Sequence, residues 1–296
     1  MQIAIFGATG CMGNNLIKKL LSATDHQIIA ACQPCSREET KNIQHKRLTW
    51  RQLDMSGQKS TAAFVSGSQI AVYLIHSLAK PGFENLDKKL ALAAAVACRQ
   101  AGVEKIIYLG GIIPKGQAAS AHLQSRTETG LALAMNGLPV AEVRASIILG
   151  ECSVSYKMVW SLARRYPIIF APRAINSLCS PIALDDAIDF LAALIGREIK
   201  GHEIFEIGAE ILSYKELISR CGQAISGRRK IIVPVPFLPI RAFSWIFGLS
   251  SKIDGRLAMT LAESLKNNSN FTNNRFKEVL GREPRPIDDA LKSLVA

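Results

Sequence analysis

The strongest constraint on this chain is a run of three glycines directly after its first apolar segment. The sequence begins MQIAIFGATGCMG, so Gly7, Gly10 and Gly13 stand at intervals of three residues. The apolar residues before Gly7 predict a buried β-strand, and the apolar positions from 12 to 21 recur at the spacing of a helix. A strand, a glycine turn and a helix in this order predict a site for the pyrophosphate of a dinucleotide.

Each glycine has its own reason in such a site. The first permits the tight turn after the strand, the second lets the backbone approach a pyrophosphate, and the third lets the helix pack closely on the strand. The amino end of the helix then directs unpaired N–H groups and a partial positive charge at the phosphates. The alternative interpretation is a fold of this type that no longer binds a ligand.

The following residues repeat the alternation of strand and helix. Apolar segments predict further strands within residues 26–33, 46–56, 69–77, 103–111 and 139–150. Strong helix formers predict helices over residues 84–101 and 121–136. This order predicts an α/β fold with a doubly wound parallel sheet, covered by helices on both faces. We place the dinucleotide-binding Rossmann domain in residues 1–150.

The pattern changes after Gly150. Residues 151–180 contain prolines at 167 and 172 and are expected to be irregular. Residues 182–209 then predict a helix and a strand that return to the Rossmann sheet. We therefore expect a smaller C-terminal region over residues 151–296, which packs on the first domain and covers the substrate.

The cysteines favour a reducing compartment. Their odd number, seven, and their scattered positions are more typical of reduced thiols in a core than of a disulfide framework. Cys32 and Cys35 form a Cys-x-x-Cys pair, but no two further ligands occur at a matching spacing, so no metal site is predicted. No secretory signal pattern precedes the glycine motif, and we expect a cytoplasmic protein.

The charge is strongly positive. The chain has a formal net charge of +12, and residues 215–296 carry 14 Lys and Arg against 7 Asp and Glu. Such a field attracts anions, which include a phosphate-bearing cofactor, an acidic membrane surface and a nucleic acid. The basic residues are spread out and follow no zinc-finger or helix-turn-helix pattern, so no nucleic-acid partner is predicted. A solvated basic face without a partner is the simplest interpretation.

Residues after the second predicted strand bear on the choice of cofactor. An NAD-specific site offers a carboxylate there for the ribose 2′-OH, whereas a 2′-phosphate requires a cation. Gln33 stands where the carboxylate would be, and Arg37 follows within reach of a phosphate. We therefore favour NADP(H) over NAD(H). The alternative is that Arg37 is a solvated loop residue.

Seven segments occur in order over about residues 1–210: FGATGCMG, LDMS, YLIHSL, AGVEKIIYLGGI, HLQSR, VRASIILG and SPIALDDAIDFL. As a set they resemble the atypical short-chain dehydrogenase/reductases, in particular the NAD(P)H-binding, NmrA-like and YbjT-type proteins related to the nucleoside-diphosphate-sugar epimerases. The resemblance implies that the pyrophosphate contacts Ala8, Thr9, Gly10, Cys11, Met12 and Gly13. It also implies adenine beside Asp54 and Met55, ribose and phosphate along Ile75 and His76, and nicotinamide near Gly110 and Gly111.

The residues that carry chemistry in that family are replaced here. Active members use a tyrosine to move the proton and a lysine one turn later to hold the nicotinamide ribose, and this chain has His122 and Arg126 at those positions. Gly110 and Gly111 replace the usual serine after the fifth strand. Arginine can hold ribose hydroxyls, and histidine can be an acid or base near neutral pH, although Arg126 favours the neutral imidazole. The alternatives are a surface histidine that covers the cofactor and an exposed helical arginine.

Residues 231–249, IIVPVPFLPIRAFSWIFGL, form an apolar segment with one charge. Its length is close to that of a membrane-spanning helix, but three prolines and Arg241 argue against one. We expect an extended connector and a short helix from Pro239 that presents three rings to a substrate pocket, those of Phe243, Trp245 and Phe247. The alternative is a peripheral anchor at the inner face of a membrane, where the cations that meet acidic lipids are Arg228, Arg229, Lys230 and Arg241.

Two hypotheses follow for the function. The first is an NADP(H)-dependent oxidoreductase for a small apolar or quinone-like molecule, with Arg126 on the nicotinamide ribose and His122 as a proton relay. The second is a non-catalytic protein that binds NAD(P)H and senses a redox signal or assists assembly. Sugar-nucleotide epimerisation is disfavoured because the tyrosine acid is missing. No partner protein is predicted.

Overall fold

The computed structural model describes residues 1–33, 43–55, 57–251 and 254–295, with the backbone alone at residues 58 and 246–251. A parallel sheet of seven strands lies at the centre. Its strands, numbered along the chain, are β1 (Gln2–Phe6), β2 (Gln27–Cys32), β3 (Leu48–Gln52), β4 (Ile70–Tyr73), β5 (Lys105–Gly111), β6 (Val140–Ala145) and β11 (His202–Ile207).

The strand order of this sheet is β11-β6-β5-β4-β1-β2-β3, and each neighbouring pair is parallel. The order reverses between β1 and β4, which therefore flank the topological switch point. Ligands of doubly wound sheets bind at the carboxyl ends of the strands at this point. The predicted fold class, an α/β doubly wound parallel sheet, is confirmed.

Helices cover both faces of the sheet. The helices of this part are α1 (Cys11–Ala23), α2 (Gln58–Val65), α3 (Phe83–Gln100), α4 (Ala121–Ala134) and α6 (Leu184–Gly196). Side chains along β1 alternate between the faces, so that Ile3 and Ile5 pack in a core with α1 and α6, whereas Ala4 and Phe6 pack in a second core with α2, α3 and α4. Burial on both faces explains why the strands are almost continuously apolar.

A buried lysine joins the sheet to α6. The Lys105 ammonium group, at the start of β5, donates hydrogen bonds to the carbonyls of Leu194, Ile195 and Arg197 at distances of 2.9, 2.7 and 2.5 Å. The last carbonyls of a helix have no partner within the helix, and a cation is stabilising there. Lys105 therefore caps the carboxyl end of α6.

The C-terminal elements form a third core beside the sheet. They are β7 (Ile148–Leu149), α5 (Val154–Arg165), β8 (Ile168–Pro172), β9 (Leu178–Cys179), β10 (Ile182–Ala183), β12 (Leu212–Ser213), α7 (Tyr214–Ser226), β13 (Ile231–Val235), α8 (Ile240–Ser251), α9 (Gly255–Glu263) and α11 (Ile287–Ser293), with short 3-10 helices at Arg173–Asn176 and Ser264–Lys266. Their strands form three pairs, which are β7 with β10, β9 with β12, and β8 with β13. The helix α10 (Phe276–Leu280) packs instead against α6, in the core that contains Ile3 and Ile5.

Two expectations for this region are wrong. Residues 151–180 are not irregular, because Ser153 caps the amino end of α5, which then buries Leu162 and Ala163 in the third core. The extended connector predicted over residues 234–239 is not a connector along its whole length, because its first two residues belong to β13, which pairs with β8 in parallel. Proline at position 234 is compatible with a strand of a two-stranded sheet, since such a strand has an unpaired edge.

The cysteines also differ from the expectation. Cys11 and Cys152 form a disulfide with their Cα atoms 5.3 Å apart. They are separated by 141 positions in the sequence, and only the fold brings the glycine turn beside the segment after β7. The other cysteines among the described residues, Cys32, Cys98, Cys179 and Cys221, form no disulfide. Cys35 lies outside the described residues.

Candidate functional site

The glycine loop between β1 and α1 has room for glycine alone at its first and third positions. Gly7 has φ of 76°, and a methyl group on it would stand 3.0 Å from the backbone of Leu74. A methyl group on Gly13 would stand 2.4 Å from the carbonyl oxygen of Gly7 and 2.6 Å from the Cα atom of Ala8. Both contacts are with backbone, which cannot move aside as a side chain can, so the loop is held in one tight conformation.

The amino end of α1 is open to a ligand. Gly10, the cap residue, is exposed and has no side chain to accept from the first-turn N–H groups, and the first turn contains no acidic residue. Thr9, Cys11 and Met12 are half-buried around it, and Ala8 is buried. First-turn amides that no side chain caps, at the positive end of a helix, are suited to a pyrophosphate. The contact of these residues with a pyrophosphate stays a prediction.

The residues predicted for the adenosine half follow two neighbouring strands. Gln33 is exposed directly after β2, and Asp54 is exposed two residues after β3, with the half-buried Met55 beside it. Because β2 and β3 are parallel neighbours, these positions lie at one edge of the sheet, beyond the glycine loop. Arg37, the predicted ligand of a 2′-phosphate, lies outside the described residues.

On the other side of the switch point, Ile75 and His76 follow β4. The backbone of this segment lies against Gly7, so the glycine loop and the end of β4 form the two sides of one cleft. His76 is exposed to the cleft, and the surrounding protein together with Arg126 lowers its pKa. The predicted positions for ribose and phosphate therefore adjoin those for the pyrophosphate.

Arg126 is buried, so the alternative of an exposed helical arginine is wrong. Its guanidinium group donates to the carboxylate of Asp87 at 2.5 Å and to the carbonyl of Ile75 at 3.3 Å. Asp87 lies on α3 and is 1% exposed in its side chain, so the ion pair joins α3 to α4 out of contact with water. Each of the two terminal nitrogens thus makes one hydrogen bond within the protein, whereas the buried Nε–H of Arg126 has no partner among the described residues. Its contact with a nicotinamide ribose stays a prediction.

His122 is half-buried at the start of α4, and it is neutral at physiological pH. Burial, followed by the charge of Arg126, lowers its pKa to about 3. Its Nδ1 atom lies 3.2 Å from the Oγ atom of Ser264. A neutral imidazole can accept a proton or exchange one within a hydrogen bond, but it is not an imidazolium acid. The predicted proton relay is therefore restricted to a neutral histidine.

A mostly apolar cavity of about 90 Å³ opens beside these residues. Gly111 and Ile112 at the end of β5, with Ala145, Ser146 and Ile147 at the end of β6, form its floor. The opposite walls come from α5, α7, α9 and the segment that follows α9, with Met158, Val159, Ile218 and Leu265 among the lining residues. The cavity therefore lies at the carboxyl ends of the strands, beside the predicted nicotinamide position.

The helix after Pro239 does not line this cavity, contrary to the expectation. Phe243 is buried in the third core, and Trp245 is exposed over 70% of its surface. The side chain of Phe247 lies outside the described part of the chain. The walls are instead formed by α5 and α9, because α8 packs on the outer side of both. Alternating rings in a sequence do not show which side of a helix faces a ligand.

Three hydroxyl groups in the cavity wall form a chain that the sequence did not reveal. The Tyr214 hydroxyl lies 3.0 Å from the Oγ atom of Ser269, which lies 2.8 Å from the Oγ atom of Ser146. Burial raises the pKa of Tyr214, so its phenol remains protonated at physiological pH. The three residues come from distant parts of the chain and follow no motif, so only the folded structure brings them together.

Two further groups that could donate a proton lie on α5. Tyr156 is buried on α5 against the ring of Trp160, and Lys157 is exposed beside it. Neither lines the cavity described above. At the end of β5, a methyl group on Gly110 would be 3.1 Å from the Tyr108 ring, and one on Gly111 would be 3.3 Å from the Leu123 side chain. Of the two glycines, Gly111 lines the cavity floor.

Comparison with known proteins supports the nucleotide site. Residues 7–137 match the model of a family described as NAD(P)H-binding. The matched range begins at Gly7 and includes every cofactor position predicted above. Comparison with curated proteins finds no sequence match.

Solved structures share the fold over the whole chain. A nucleoside-diphosphate-sugar epimerase from Staphylococcus aureus has a TM-score of 0.79 at 18% identity, and the alignment covers 99% of this chain and 100% of that one. The Citrobacter sp. triphenylmethane reductase, in its complex with NADP(H), has a TM-score of 0.79 at 16% identity with the same coverage. An NADPH-dependent quinone oxidoreductase from Escherichia coli, complexed with NADPH, has a TM-score of 0.78 at 16% identity, again with 99% and 100% covered. At these low sequence identities, the comparison shows that the folds are similar and nothing more.

Proposed function

We propose a function from the premise that this chain belongs to the NAD(P)H-binding proteins of the atypical short-chain dehydrogenase/reductase type. The function is NADP(H)-dependent reduction of a small apolar or quinone-like molecule in the cavity at the ends of β5 and β6. The observation that carries the proposal is the position of this cavity. It is lined mainly by apolar side chains, and its floor is formed by Gly111 and Ser146 beside the predicted nicotinamide position.

The residues of the cleft suit a dinucleotide. The glycine loop and the open amino end of α1 would hold the pyrophosphate, and the segment after β4 would follow the ribose and phosphate. When bound, a reduced nicotinamide supplies a hydride. The preference for NADP(H) is supported by Gln33, which gives the ribose edge no carboxylate at the end of β2. Two of the similar structures contain NADP(H) or NADPH.

Reduction of a carbonyl or quinone also requires a proton at the substrate oxygen. The hydroxyl chain is suited to this task because Ser146 faces the cavity and Ser269 connects it to the protonated phenol of Tyr214. In our proposal, Ser146 donates to the substrate oxygen, Ser269 restores the Ser146 proton, and Tyr214 restores that of Ser269. Because a buried phenolate is unstable, Tyr214 recovers its proton from water that enters the cavity when the product leaves. His122 lies in the same wall and, as a neutral imidazole, orients the substrate through a hydrogen bond.

The test measures NADPH binding by calorimetry and NADPH oxidation with a panel of quinones, carbonyl compounds and triphenylmethane dyes. A positioned proton donor typically contributes about 10² to 10⁴-fold to a rate. We therefore expect Ser146→Ala and Tyr214→Phe to lower kcat markedly while the Kd for NADPH is unchanged. Tyr156→Phe is the matched control, since it removes a buried phenol that does not line the cavity. Equal losses in all three variants, or no turnover by the wild type, would contradict the proposal.

The choice of cofactor has a separate test. Gln33→Asp places a carboxylate where it can accept from the 2′-OH of NADH and repel the 2′-phosphate of NADPH. We expect the ratio of the two Kd values to shift toward NADH by about tenfold or more, which corresponds to about 1.4 kcal/mol. Gln33→Asn is the control, because it keeps the side chain neutral. A shift of the same size in both variants would show that Gln33 does not face the ribose.

The second candidate is a protein that binds the cofactor without turnover and senses redox state. The Cys11–Cys152 disulfide favours it, because Cys11 lies in the first turn of α1, where the pyrophosphate would bind. For such a sensor we expect no turnover on the panel and an NADPH Kd that differs between oxidised and reduced protein. Cys152→Ser should bind NADPH equally well with and without a dithiol reductant. Equal Kd values for the oxidised and reduced wild type would exclude this candidate.

A further inference from the structure

One face of the β8–β13 pair exposes apolar side chains. The strands are parallel, and Ile168 is opposite Ile231 as Phe170 is opposite Val233. Because side chains alternate along a strand, these four point to the same side, while Ile169 and Ile232 point into the third core. Phe170 and Ile231 are exposed over 60% and 59% of their surfaces. We call the four outward residues the β8–β13 face.

Two aromatic residues from the following segment are also exposed. Phe237 lies in the turn after β13 and is exposed over 99% of its surface. Its φ of 65° is in the left-handed region, which is uncommon for a residue with a bulky side chain. Trp245 lies on α8, which packs on α5 and contacts β8, and it is exposed over 70% of its surface. The segment that follows β13 therefore exposes two large aromatic rings to solvent.

The segments of sequence that contain these residues have basic residues and no acidic ones. Residues 152–184 contain four Lys or Arg and no acidic residue, and residues 217–253 contain six Lys or Arg and no acidic residue. Five of these cations come shortly before the strands: Arg164 and Arg165 end α5 ahead of β8, and Arg228, Arg229 and Lys230 precede β13. Since the strands are parallel and in register, the segments that carry these residues lead into the same end of the β8–β13 face, where Arg229 is ion-paired with Glu216 at 3.2 Å. Arg173 and Arg241 follow the strands.

We propose that the β8–β13 face, together with Phe237 and Trp245, docks on the surface of a bilayer that contains anionic lipids. Aromatic rings are stabilised at the level of the lipid headgroups, and cations beside them are attracted to anionic lipid. An exposed set of aliphatic and aromatic residues with a basic border has the chemistry of an interfacial contact. Among the described residues no helix is long and apolar enough to cross a bilayer, so the contact proposed is peripheral.

Two other occupants fit the surface less well. A nucleic acid would pair with the cations and stack its bases on the exposed rings, but it would leave the aliphatic side chains of Ile168, Ile231 and Val233 without an apolar partner. A second copy of this chain would bring a second set of the same cations against the first, and like charges in contact are costly. Anionic lipid satisfies the apolar and the basic residues together. The proposal concerns a surface apart from the cavity and does not depend on the proposed reaction.

The experiment is vesicle flotation with the full chain. Vesicles of phosphatidylcholine alone are compared with vesicles of equal parts phosphatidylcholine and phosphatidylglycerol. We expect the protein to float with the anionic vesicles and to remain at the bottom with the neutral ones, and added salt should reduce flotation because it screens the cations. The fluorescence of Trp245 should also shift to shorter wavelength on the anionic vesicles, in a variant with Trp50→Phe and Trp160→Phe.

Matched variants test the residues. Trp245→Ser and Phe237→Asn should each lower partition into anionic vesicles about tenfold, since each removes a ring from the interface. Asparagine is chosen at position 237 because it tolerates a left-handed backbone. Met135→Ser is the control, because Met135 at the end of α4 is exposed to the same 70% as Trp245. Arg164→Gln and Arg228→Gln should each lower partition about fivefold.

Several outcomes would overturn the proposal. One is no flotation of the wild type with anionic vesicles, and another is an equal loss in Met135→Ser and Trp245→Ser. A third is a dimer in sedimentation, in the absence of lipid, that Phe237→Asn and Trp245→Ser dissociate. A fourth is binding to single-stranded or duplex nucleic acid that the same variants weaken, with no binding to vesicles. Circular dichroism and thermal unfolding of each variant show that the fold is retained.

Discussion

At the scale of single residues, the glycine loop shows how one atom decides whether a site exists. Gly13 has no space for a methyl group, because both nearest neighbours, Gly7 and Ala8, would contact it through backbone atoms. The sequence predicts this glycine and its role correctly, since the requirement arises from the tight strand-to-helix turn itself. Side chains that face the loop from distant parts of the chain are not predictable in this way.

The first prediction concerns Gly13→Ala. The added methyl group would force the helix away from the strand, so we expect the free energy of unfolding to fall by about 1–3 kcal/mol and NADPH binding to be lost. Denaturant unfolding and calorimetry measure the two effects. Gly196→Ala is the control, since a methyl group there has no neighbour within 4 Å. If both variants bind NADPH like the wild type, the glycine loop is not the pyrophosphate site.

The second prediction concerns acid stability. The pKa of His122 is about 3 in the folded protein and 6.5 in an unperturbed histidine, so the unfolded chain binds this proton first as the pH falls. The stability contributed by the neutral ring is therefore lost progressively between pH ~6.5 and ~3, at most about 1.4 kcal/mol per pH unit. Urea unfolding at several pH values should show a smaller loss for His122→Gln than for the wild type. Leu131→Gln, at an exposed position of the same helix, changes no titratable group and should keep the wild-type slope.

At the scale of secondary structure elements, the sequence predicts a strand or helix correctly where its local pattern of apolar residues agrees with the burial in the fold. The strands and helices of the central sheet follow from apolar runs and helical spacing, and α6 begins and ends where its pattern does. The predictions were wrong for α5 and β13, where prolines suggested irregular structure. Pro167 lies after the end of α5 and does not interrupt it, and Pro234 lies in β13, a strand with an unpaired edge. The hydroxyl chain and the Asp87 partner of Arg126 were not predictable, because each depends on contacts between elements.

The third prediction tests the ion pair that joins α3 to α4. Asp87→Asn leaves the Arg126 charge buried without its partner, so the free energy of unfolding should fall by about 3–5 kcal/mol. The double variant Asp87→Leu with Arg126→Met removes both charges and should be closer to the wild type than Asp87→Asn is. Denaturant unfolding of both variants measures the difference. A double variant as unstable as Asp87→Asn, or less stable, would contradict the prediction.

The fourth prediction concerns the cap of α6. Lys105→Met removes the ammonium group and leaves the carbonyls of Leu194, Ile195 and Arg197 without their donor. A buried acceptor without a partner costs about 1–3 kcal/mol, and we expect a decrease of about this size in the free energy of unfolding. Lys115→Met, at an exposed position, should change stability by less than about 0.5 kcal/mol. Equal stability of the two variants would show that α6 does not depend on the cap.

At the scale of the whole molecule, the fold brings together residues that belong to different parts of the chain. The carboxyl edge of the sheet carries the glycine loop, the end of β4 and the floor of the cavity, and the C-terminal elements supply the opposite wall. Asn267 contributes to this closure, because its side chain accepts from the N–H of Ser120 at 2.9 Å and donates to the carbonyl of Ala118 at 2.8 Å. The cleft is therefore a property of the complete chain.

The Cys11–Cys152 disulfide makes the same connection covalently. It closes a loop of 141 residues between the first turn of α1 and the segment after β7. Cross-linking so large a loop restricts the unfolded chain, and the loss of such a bond costs about 2–5 kcal/mol. We therefore expect a dithiol reductant to lower the free energy of unfolding of the wild type by about this amount. The Cys152→Ser variant should have a lower free energy of unfolding than the oxidised wild type even without reductant, and the reductant should not lower it further.

Non-reducing peptide mapping provides the independent measurement for this prediction. In the oxidised protein, Cys11 and Cys152 should resist alkylation and appear as one linked peptide, whereas Cys32, which is half-buried and free, should be alkylated. Alkylation of both bridged positions before any reductant is added would contradict the bond. If the bond forms and its reduction leaves the free energy of unfolding unchanged, the unfolded chain already holds the two cysteines close together without the cross-link.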